Sequence, residues 1–187
     1  MMMNKPLKIL AIGVLILSIG LFVLGILFRI GGFYINTTPS LPVGLYRIVD
    51  EPVSKDAYVA FCPPQSDVFD WAIARGYINP GDCPGGYGQL LKRVHAVAGD
   101  TVLIDETGIT VNGQLLPNSI PIRADVYSAA LPQYRFNAVL NESECLLLSD
   151  LNPHSFDARY FGVIDRAQIV HVVHPIITFN LQEELLP

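Results

Sequence analysis

The stretch from Gln89 to Pro117, QLLKRVHAVAGDTVLIDETGITVNGQLLP, indicates the fold class of this chain. It contains short runs rich in aliphatic and β-branched residues, and turn residues separate these runs, as is typical of strands joined by tight turns. Asn112-Gly113 supplies the positive φ angles that a tight hairpin turn requires, so we predict a hairpin over residues 101–117. Similar short runs lie at residues 56–62, 144–150 and 168–179. The domain is therefore predicted to be mainly β.

A small helical insert interrupts this pattern at residues 64–90. Ser66 can cap a short helix that continues to about Arg75, where Gly76 can end it. The following residues are rich in Gly and Pro and predict a loop. We can derive no role for the insert from the sequence.

The N-terminal segment has the composition of a membrane anchor. Ile9 to Phe28 is a run of twenty residues whose only polar side chain is Ser18. As a helix it would span about 30 Å, the thickness of a bilayer core. No A-x-A-like site follows it, as a cleaved signal peptide would require, and it lacks the polar face of a core helix. The N-terminal side carries Lys5 and Lys8 and no acid, which favours a cytoplasmic N-terminus.

The rest of the chain is acidic. Without Lys5, Lys8 and Arg29, 9 basic residues remain against 17 acidic ones, a net charge of −8. This charge argues against nucleic acid and against an anionic lipid surface as the main partner. We therefore divide the chain into an anchor at residues 1–32 and an exported domain at residues 33–187.

The three cysteines, Cys62, Cys83 and Cys145, leave one thiol without an intramolecular partner. Cys62 and Cys83 are the preferred disulfide pair because they bracket the insert. There is no C-x-x-C pair, and the two histidines of HVVH would point to opposite faces of a strand. We therefore expect no metal and no cofactor.

Two separate stretches could supply a nucleophile and its base. Ser40 lies between Pro39 and Pro42, which stiffen the backbone, and Gly44 permits a turn that side chains would block. Lys92 shares one face of its predicted strand with Leu90, Val94 and Ala96. Burial among these aliphatic residues would lower the pKa of the amine, so that it could accept a proton. His95 and His154 are other possible bases, but neither lies in a recognisable motif.

A third stretch, SFDARYFG at residues 155–162, combines a serine with an acid and a base. If this stretch is extended, Ser155, Asp157 and Arg159 alternate on one side. The two charges could then form an ion pair that fixes the loop.

These three stretches, in this order behind an anchor, resemble the serine, lysine and S-x-D-x-R-Y-x-G boxes of the type I signal peptidase family of Ser/Lys membrane proteases. The forms SLPVGLYRI and RGYINPGDCPGGYGQLLKRV are most similar to its conjugative transfer branch, the TraF-type peptidases. The resemblance covers about residues 5–180.

The resemblance implies a signal peptidase-like β domain and a role for each matching residue. Ser40 would be the nucleophile and Lys92 its general base, oriented by Ser155. The backbone N–H of Ser40, with the Thr38 hydroxyl, would form the oxyanion hole, although Thr38 replaces the serine of housekeeping relatives. The family's structural positions near the site correspond to Asp157, Arg159 and Gly162, the last allowing a close backbone approach.

The same resemblance implies a serine endopeptidase of the bacterial inner membrane, with its catalytic domain in the periplasm. Its partner would be a pilin or another exported precursor, which it would trim and, in some members of the branch, cyclise. Two alternatives stay open: a housekeeping signal peptidase with broad substrates, and a non-catalytic anchored scaffold of a secretion apparatus. A self-cleaving repressor is disfavoured, because the anchor stands where a DNA-binding module would be.

Overall fold

The computed structural model of the chain describes residues 4–149 and 151–179. Residues 1–3, Asp150 and residues 180–187 lie outside the described residues, so the predicted strand at 144–150 and the predicted domains at 1–32 and 33–187 can be compared with the structure only in part. Within the described residues the chain forms one long N-terminal helix followed by a domain made mostly of strands. The predicted mainly β class with a small helical insert is confirmed.

The first helix, α1 (Lys5–Ile30), contains the apolar run. Its 26 residues have a mean hydropathy of 2.9 in their most apolar window, and none of them is buried against the rest of the chain. Among the described residues it is the one helix that is long and apolar enough to cross a membrane. The helix thus fits the predicted anchor, and its exposed apolar surface would be matched by lipid.

The strands of the described residues form two antiparallel sheets. Seven of them make a large sheet in the order β1-β2-β11-β3-β4-β9-β10, and four make a small sheet in the order β7-β6-β5-β8. The strands are β1 (Phe33–Asn36), β2 (Val43–Val49), β3 (Tyr58–Phe61), β4 (Leu90–Ala96), β5 (Thr101–Asp105), β6 (Gly108–Val111), β7 (Gln114–Leu115), β8 (Phe136–Val139), β9 (Glu144–Leu148), β10 (Ile164–Asp165) and β11 (Ile169–Phe179). The turn at Asn112-Gly113 joins β6 to β7, so the predicted hairpin is a meander of three strands.

Strand β4 is an interior strand of the large sheet, between β3 and β9, and its two sides face different cores. Val94 belongs to the main hydrophobic core, whereas Leu91 belongs to a smaller cluster with Leu41 and Tyr46. Because both sides are covered, a polar side chain on β4 can be removed from water almost completely. This position explains the burial of the lysine described below.

Gly44 plays a different part from the one that its place near the prolines suggested. It lies within β2 rather than in a turn, and it pairs with Asn36 on one side and Thr178 on the other. A Cβ atom at this position would overlap the backbone carbonyl of Ile177. The missing side chain therefore allows β2 and β11 to approach closely, which holds the start of β2 in the sheet.

The insert is a short helix and a loop that a disulfide closes. Helix α2 (Asp67–Ala74) begins after Ser66, whose side chain makes no capping hydrogen bond; the Ser66 carbonyl accepts backbone N–H groups instead. Cys62 and Cys83 are joined in a disulfide across the insert, and Cys145 is a free thiol buried in the core. Burial raises the pKa of the Cys145 thiol to about 12, which keeps it protonated and unreactive.

Replacing Cys62 and Cys83 together by serine should lower the free energy of unfolding by about 3 kcal/mol, because the open loop gains conformational freedom in the unfolded chain. Thermal unfolding of the full chain in detergent measures the change. The single variant Cys62→Ser should lose as much as the double variant, and a reductant should destabilise only the unmodified chain. Equal stability of all three proteins would contradict the structural role of the disulfide.

Candidate active site

The turn that carries Ser40 is organised by Asn36, the last residue of β1. The Asn36 side chain is buried, and its amide donates hydrogen bonds to the carbonyl groups of Thr38, Leu41 and Pro42 at 3.0–3.1 Å. Its oxygen accepts the backbone N–H of Thr38 at 3.1 Å. One buried side chain thus fixes the backbone on both sides of Ser40. Our sequence analysis missed this residue, whose signal is an Asn at the end of a strand beside a turn.

Ser40, Ser155 and Lys92 form a continuous hydrogen-bonded chain. The Ser40 and Ser155 hydroxyl oxygens are 3.0 Å apart, and the Lys92 amine donates to the Ser155 oxygen at 3.0 Å. Lys92 is only 3% exposed and Ser155 only 4%, whereas Ser40 is half-buried and accessible from one side. The structure thereby brings together three residues that are distant in sequence. Ser155 stands between the hydroxyl and the amine.

Burial lowers the pKa of the Lys92 amine to about 8, from an ordinary value of 10.5. This value is a net result: the negative charge of Asp157 opposes the effect of burial, and the smaller effect of the positive charge of Arg159 adds to it. The neighbours on the strand are those that the alternation predicted, since Val94 is buried in the core and Leu90 packs against it. About a tenth of the amine is therefore neutral at pH 7, far more than at the ordinary pKa, and this fraction can accept a proton.

Asp157 and Arg159 form a fully buried ion pair, with the guanidinium and carboxylate 2.7 Å apart. The stretch is not extended: Asp157 precedes the short helix α3 (Ala158–Phe161), and its side chain accepts the N–H of Arg159. Because the helix turns the chain, the charged groups meet side by side. The guanidinium also donates to the backbone carbonyl groups of Asn118, Asn152, Pro153 and Ser155.

Ser149 connects this ion pair to the Ser40 turn. Its backbone N–H donates to the Asp157 carboxylate at 3.0 Å, and its hydroxyl donates to the backbone carbonyl of Ser40 at 2.6 Å. Ser149 is completely buried. Sequence reasoning did not single it out, because a serine directly after a strand carries no local signal of such a contact. The ion pair therefore supports the site in two places: through Ser149 it holds the Ser40 turn, and directly it holds the backbone carbonyl of Ser155.

The Thr38 hydroxyl, expected at the oxyanion hole, is engaged elsewhere. It donates a hydrogen bond to the side-chain oxygen of Asn36 at 2.9 Å, while the residue itself is exposed. To donate to an oxyanion, the hydroxyl would have to give up this bond. The geometry therefore favours a part for Thr38 in shaping the turn.

Gly162 has a φ of 79°, which favours glycine, and it follows α3. A Cβ atom here would overlap the ring of Tyr134. The close approach expected at Gly162 is thus made by an aromatic side chain packing on the glycine rather than by another backbone segment. This contact helps to fix the end of the short helix that carries Arg159.

A pocket of about 200 Å³, the Ser40 pocket, opens beside these groups. The β1–β2 turn, the insert and β4 line it, with Thr38, Ser40, Tyr77, Asn79, Lys92 and Phe156 among its residues. The insert, for which the sequence suggested no role, therefore forms a wall of this pocket. His95 and His154, the other candidate bases, are not among the described residues that line it.

Comparisons with known proteins agree with one another. The family model described as signal peptidase, peptidase S26, matches residues 7–177. A plasmid transfer protein TraF of Escherichia coli is 49% identical over 178 residues, which are 95% of this chain and 100% of that protein. A probable conjugal transfer protein TraF of Sinorhizobium fredii is 37% identical over 80% of this chain and 79% of its own length.

A crystal structure of a signal peptidase I from Enterococcus faecalis is also similar. It shares 19% identity, covers 65% of this chain and 97% of its own, and has a TM-score of 0.37. A similarity this low adds nothing to the sequence relationships.

We predict that the Lys92 amine titrates near pH 8 in the folded chain. Lysine labelled with ¹³C at Cε, observed by NMR during a pH titration in detergent, measures this directly. The Lys92→Met variant, which keeps an unbranched apolar side chain, should lack the shifted resonance and so assigns it. A Lys92 resonance that titrates near 10.5 would contradict the burial described here.

Proposed function

Because the chain belongs to the signal peptidase family, peptidase S26, we propose that it is a membrane-anchored serine endopeptidase in which Ser40 is the nucleophile and Lys92 the general base. The family resemblance that the three sequence boxes predicted is confirmed, as is the similarity to TraF-type transfer proteins. The observation that carries the proposal is the hydrogen-bonded chain from the Ser40 hydroxyl through Ser155 to a buried amine.

The proposed reaction begins when the Ser40 oxygen attacks the scissile carbonyl carbon. The Ser40 proton passes to Ser155 as the Ser155 proton passes to the neutral Lys92 amine, over two distances of 3.0 Å. The carbonyl π electrons move to the oxygen, which the backbone N–H of Ser40 would stabilise. When the peptide C–N bond breaks, Lys92 returns the proton to the leaving amine, and an acyl-enzyme ester stays on Ser40.

The second half of the reaction releases the acyl group. Water attacks the ester while Lys92 accepts its proton, and Ser40 recovers a hydrogen as it leaves. If the amine of the substrate's own N-terminus attacks instead, the product is a ring. The turn at Ser40 begins a few residues after α1 ends, so the site would lie close to the membrane surface, where a precursor's cleavage site emerges.

We propose an exported precursor as the substrate, in particular a pilin of the conjugative apparatus. The names of two relatives support this choice, since they are described as plasmid and conjugal transfer proteins. The basic N-terminus supports an inner-membrane anchor with its N-terminus in the cytoplasm and its catalytic domain in the periplasm. The small volume of the Ser40 pocket would favour small side chains next to the scissile bond.

Replacing Ser40 by Ala, or Lys92 by Met, should slow processing of the pilin precursor of the same conjugative element by roughly 10³-fold or more, because the nucleophile or its base is lost. Co-expression and intact mass of the precursor measure this. Ser54 and Lys55 are exposed and adjacent to each other in sequence, so Ser54→Ala and Lys55→Met provide matched controls. Proteins with these control substitutions should process the precursor at the normal rate.

Three results of that experiment would count against parts of the proposal. Processing by both site variants at the normal rate would contradict the Ser/Lys assignment. An unprocessed precursor in the wild type would favour a scaffold of the secretion apparatus. Processing of many unrelated exported precursors at equal rates would favour a housekeeping peptidase.

The value of kcat/KM should increase about tenfold for each pH unit up to about pH 8 and then level off. The pKa of Lys92 is lowered to about 8, so below this pH the amine is mostly protonated and cannot accept the Ser40 proton. Cleavage rates between about pH 6 and about pH 10 measure the profile. A rate that is independent of pH, or that falls as the amine loses its proton, would rule out Lys92 as the base.

A further inference from the structure

A larger cavity, of about 580 Å³, lies next to the Ser40 pocket, and we call it the outer cavity. Its lining comes from the residues that follow α2 in the insert, from the loop at residues 122–131 and from the segment around α3, and it includes Arg75, Tyr77, Ile122, Tyr127, Phe156 and Tyr160. The proposed reaction uses none of this space. Its size would accommodate one or two large side chains of a bound polypeptide.

The two cavities share a wall. Tyr77 and Phe156 line both of them, and their rings stack with centroids 5.9 Å apart. Trp71 and Tyr160 continue the stack on either side, at 5.1 Å and 5.7 Å. Since an extended chain advances about 3.3 Å per residue, a polypeptide with its scissile bond at Ser40 could pass over this wall within a few residues.

The two charged groups of opposite sign at the outer cavity, Arg75 and Asp125, are already paired with one another. The Asp125 carboxylate accepts hydrogen bonds from Arg75 at 3.0 Å and from the Tyr77 hydroxyl at 2.6 Å, as well as from two backbone N–H groups. These donors lower the pKa of Asp125 to about 2, and the hydrogen bond from the Tyr77 hydroxyl has the largest effect. The carboxylate is thus satisfied within the protein, so the cavity suits an uncharged side chain better than a cation.

The rim of the outer cavity exposes apolar surface. Val126 and Tyr127 are 87% and 85% exposed, although both line the cavity. They stand at the tip of a loop that a bridge between Ala124 and Ala130 closes. Large apolar side chains that are exposed beside a cavity are typical of a surface that binds a partner.

We propose that the outer cavity binds an apolar or aromatic segment of the precursor polypeptide, a few residues away from the scissile bond. The inference rests on the proposed function, because the continuity with the Ser40 pocket argues for the substrate as occupant. It gives the insert at residues 64–90 a role: its disulfide and aromatic stack hold Tyr77 in the wall between the two cavities. Selection of the substrate then depends on this segment as well as on the residues at the cut.

Filling the outer cavity tests the proposal. Ala124 lines the cavity and is exposed, whereas its bridge partner Ala130 is also exposed but is not among the lining residues. We would measure kcat/KM for Ala124→Trp and Ala130→Trp on two substrates, the full pilin precursor and a short peptide with about two residues on each side of the cut. The ratio of kcat/KM for the precursor to kcat/KM for the peptide reports binding beyond the scissile bond.

Ala124→Trp should lower the precursor-to-peptide ratio at least tenfold, mainly through a higher KM for the precursor, and Ala130→Trp should leave the ratio unchanged. An unchanged ratio in Ala124→Trp, or an equal loss in both variants, would overturn the proposal. Failure of the proposed function looks different, because the wild type would then cleave neither substrate.

A cross-linking experiment gives an independent readout that does not depend on turnover. A photoreactive benzoylphenylalanine replaces Tyr127 in the Ser40→Ala background, and the cross-linked precursor peptide is mapped by mass spectrometry. A cross-link to an apolar segment within about ten residues of the cut supports the proposal, since about ten extended residues span roughly 33 Å. A cross-link only to polar or distant segments, or none while the wild type cleaves the precursor, overturns it.

Discussion

The buried ion pair between Asp157 and Arg159 is the constraint on which the site depends. Both side chains are fully removed from water, and the cost of burying them is offset only because nearly every donor and acceptor is used. Removing one partner from such a pair typically costs about 3–5 kcal/mol. The pair also determines geometry, because Asp157 holds Ser149 against the Ser40 carbonyl and Arg159 holds the carbonyl of Ser155.

Burial has opposite consequences for the two kinds of charge at the site. It strengthens the attraction between Asp157 and Arg159, which meet at hydrogen-bonding distance. It weakens the hold of Lys92 on its proton, because the amine has a serine hydroxyl as its hydrogen-bond partner and no carboxylate at that distance in the described structure. The domain therefore keeps one ion pair charged and one amine partly neutral within the same core. This difference supports the proposed role of Lys92 as the base.

The sequence was sufficient for the features that local patterns encode. The apolar run predicted the long helix, and the alternation around Lys92 predicted its apolar surroundings. The short helix after Asp157 was not predicted, since a residue that caps a four-residue helix looks the same in sequence as one in a loop. Asn36 and Ser149 were missed because their importance lies in contacts that only the folded chain creates.

The central claim is that Ser40 is the group that Lys92 activates. The most direct test treats the full chain in detergent with a small serine-acylating reagent and reads the adduct by intact mass and peptide mapping. The account predicts one acyl group, located on Ser40, whose rate of formation increases up to about pH 8 and is lost in Lys92→Met. An acyl group on another serine, or labelling of Ser40 at the same rate in Lys92→Met, would contradict it.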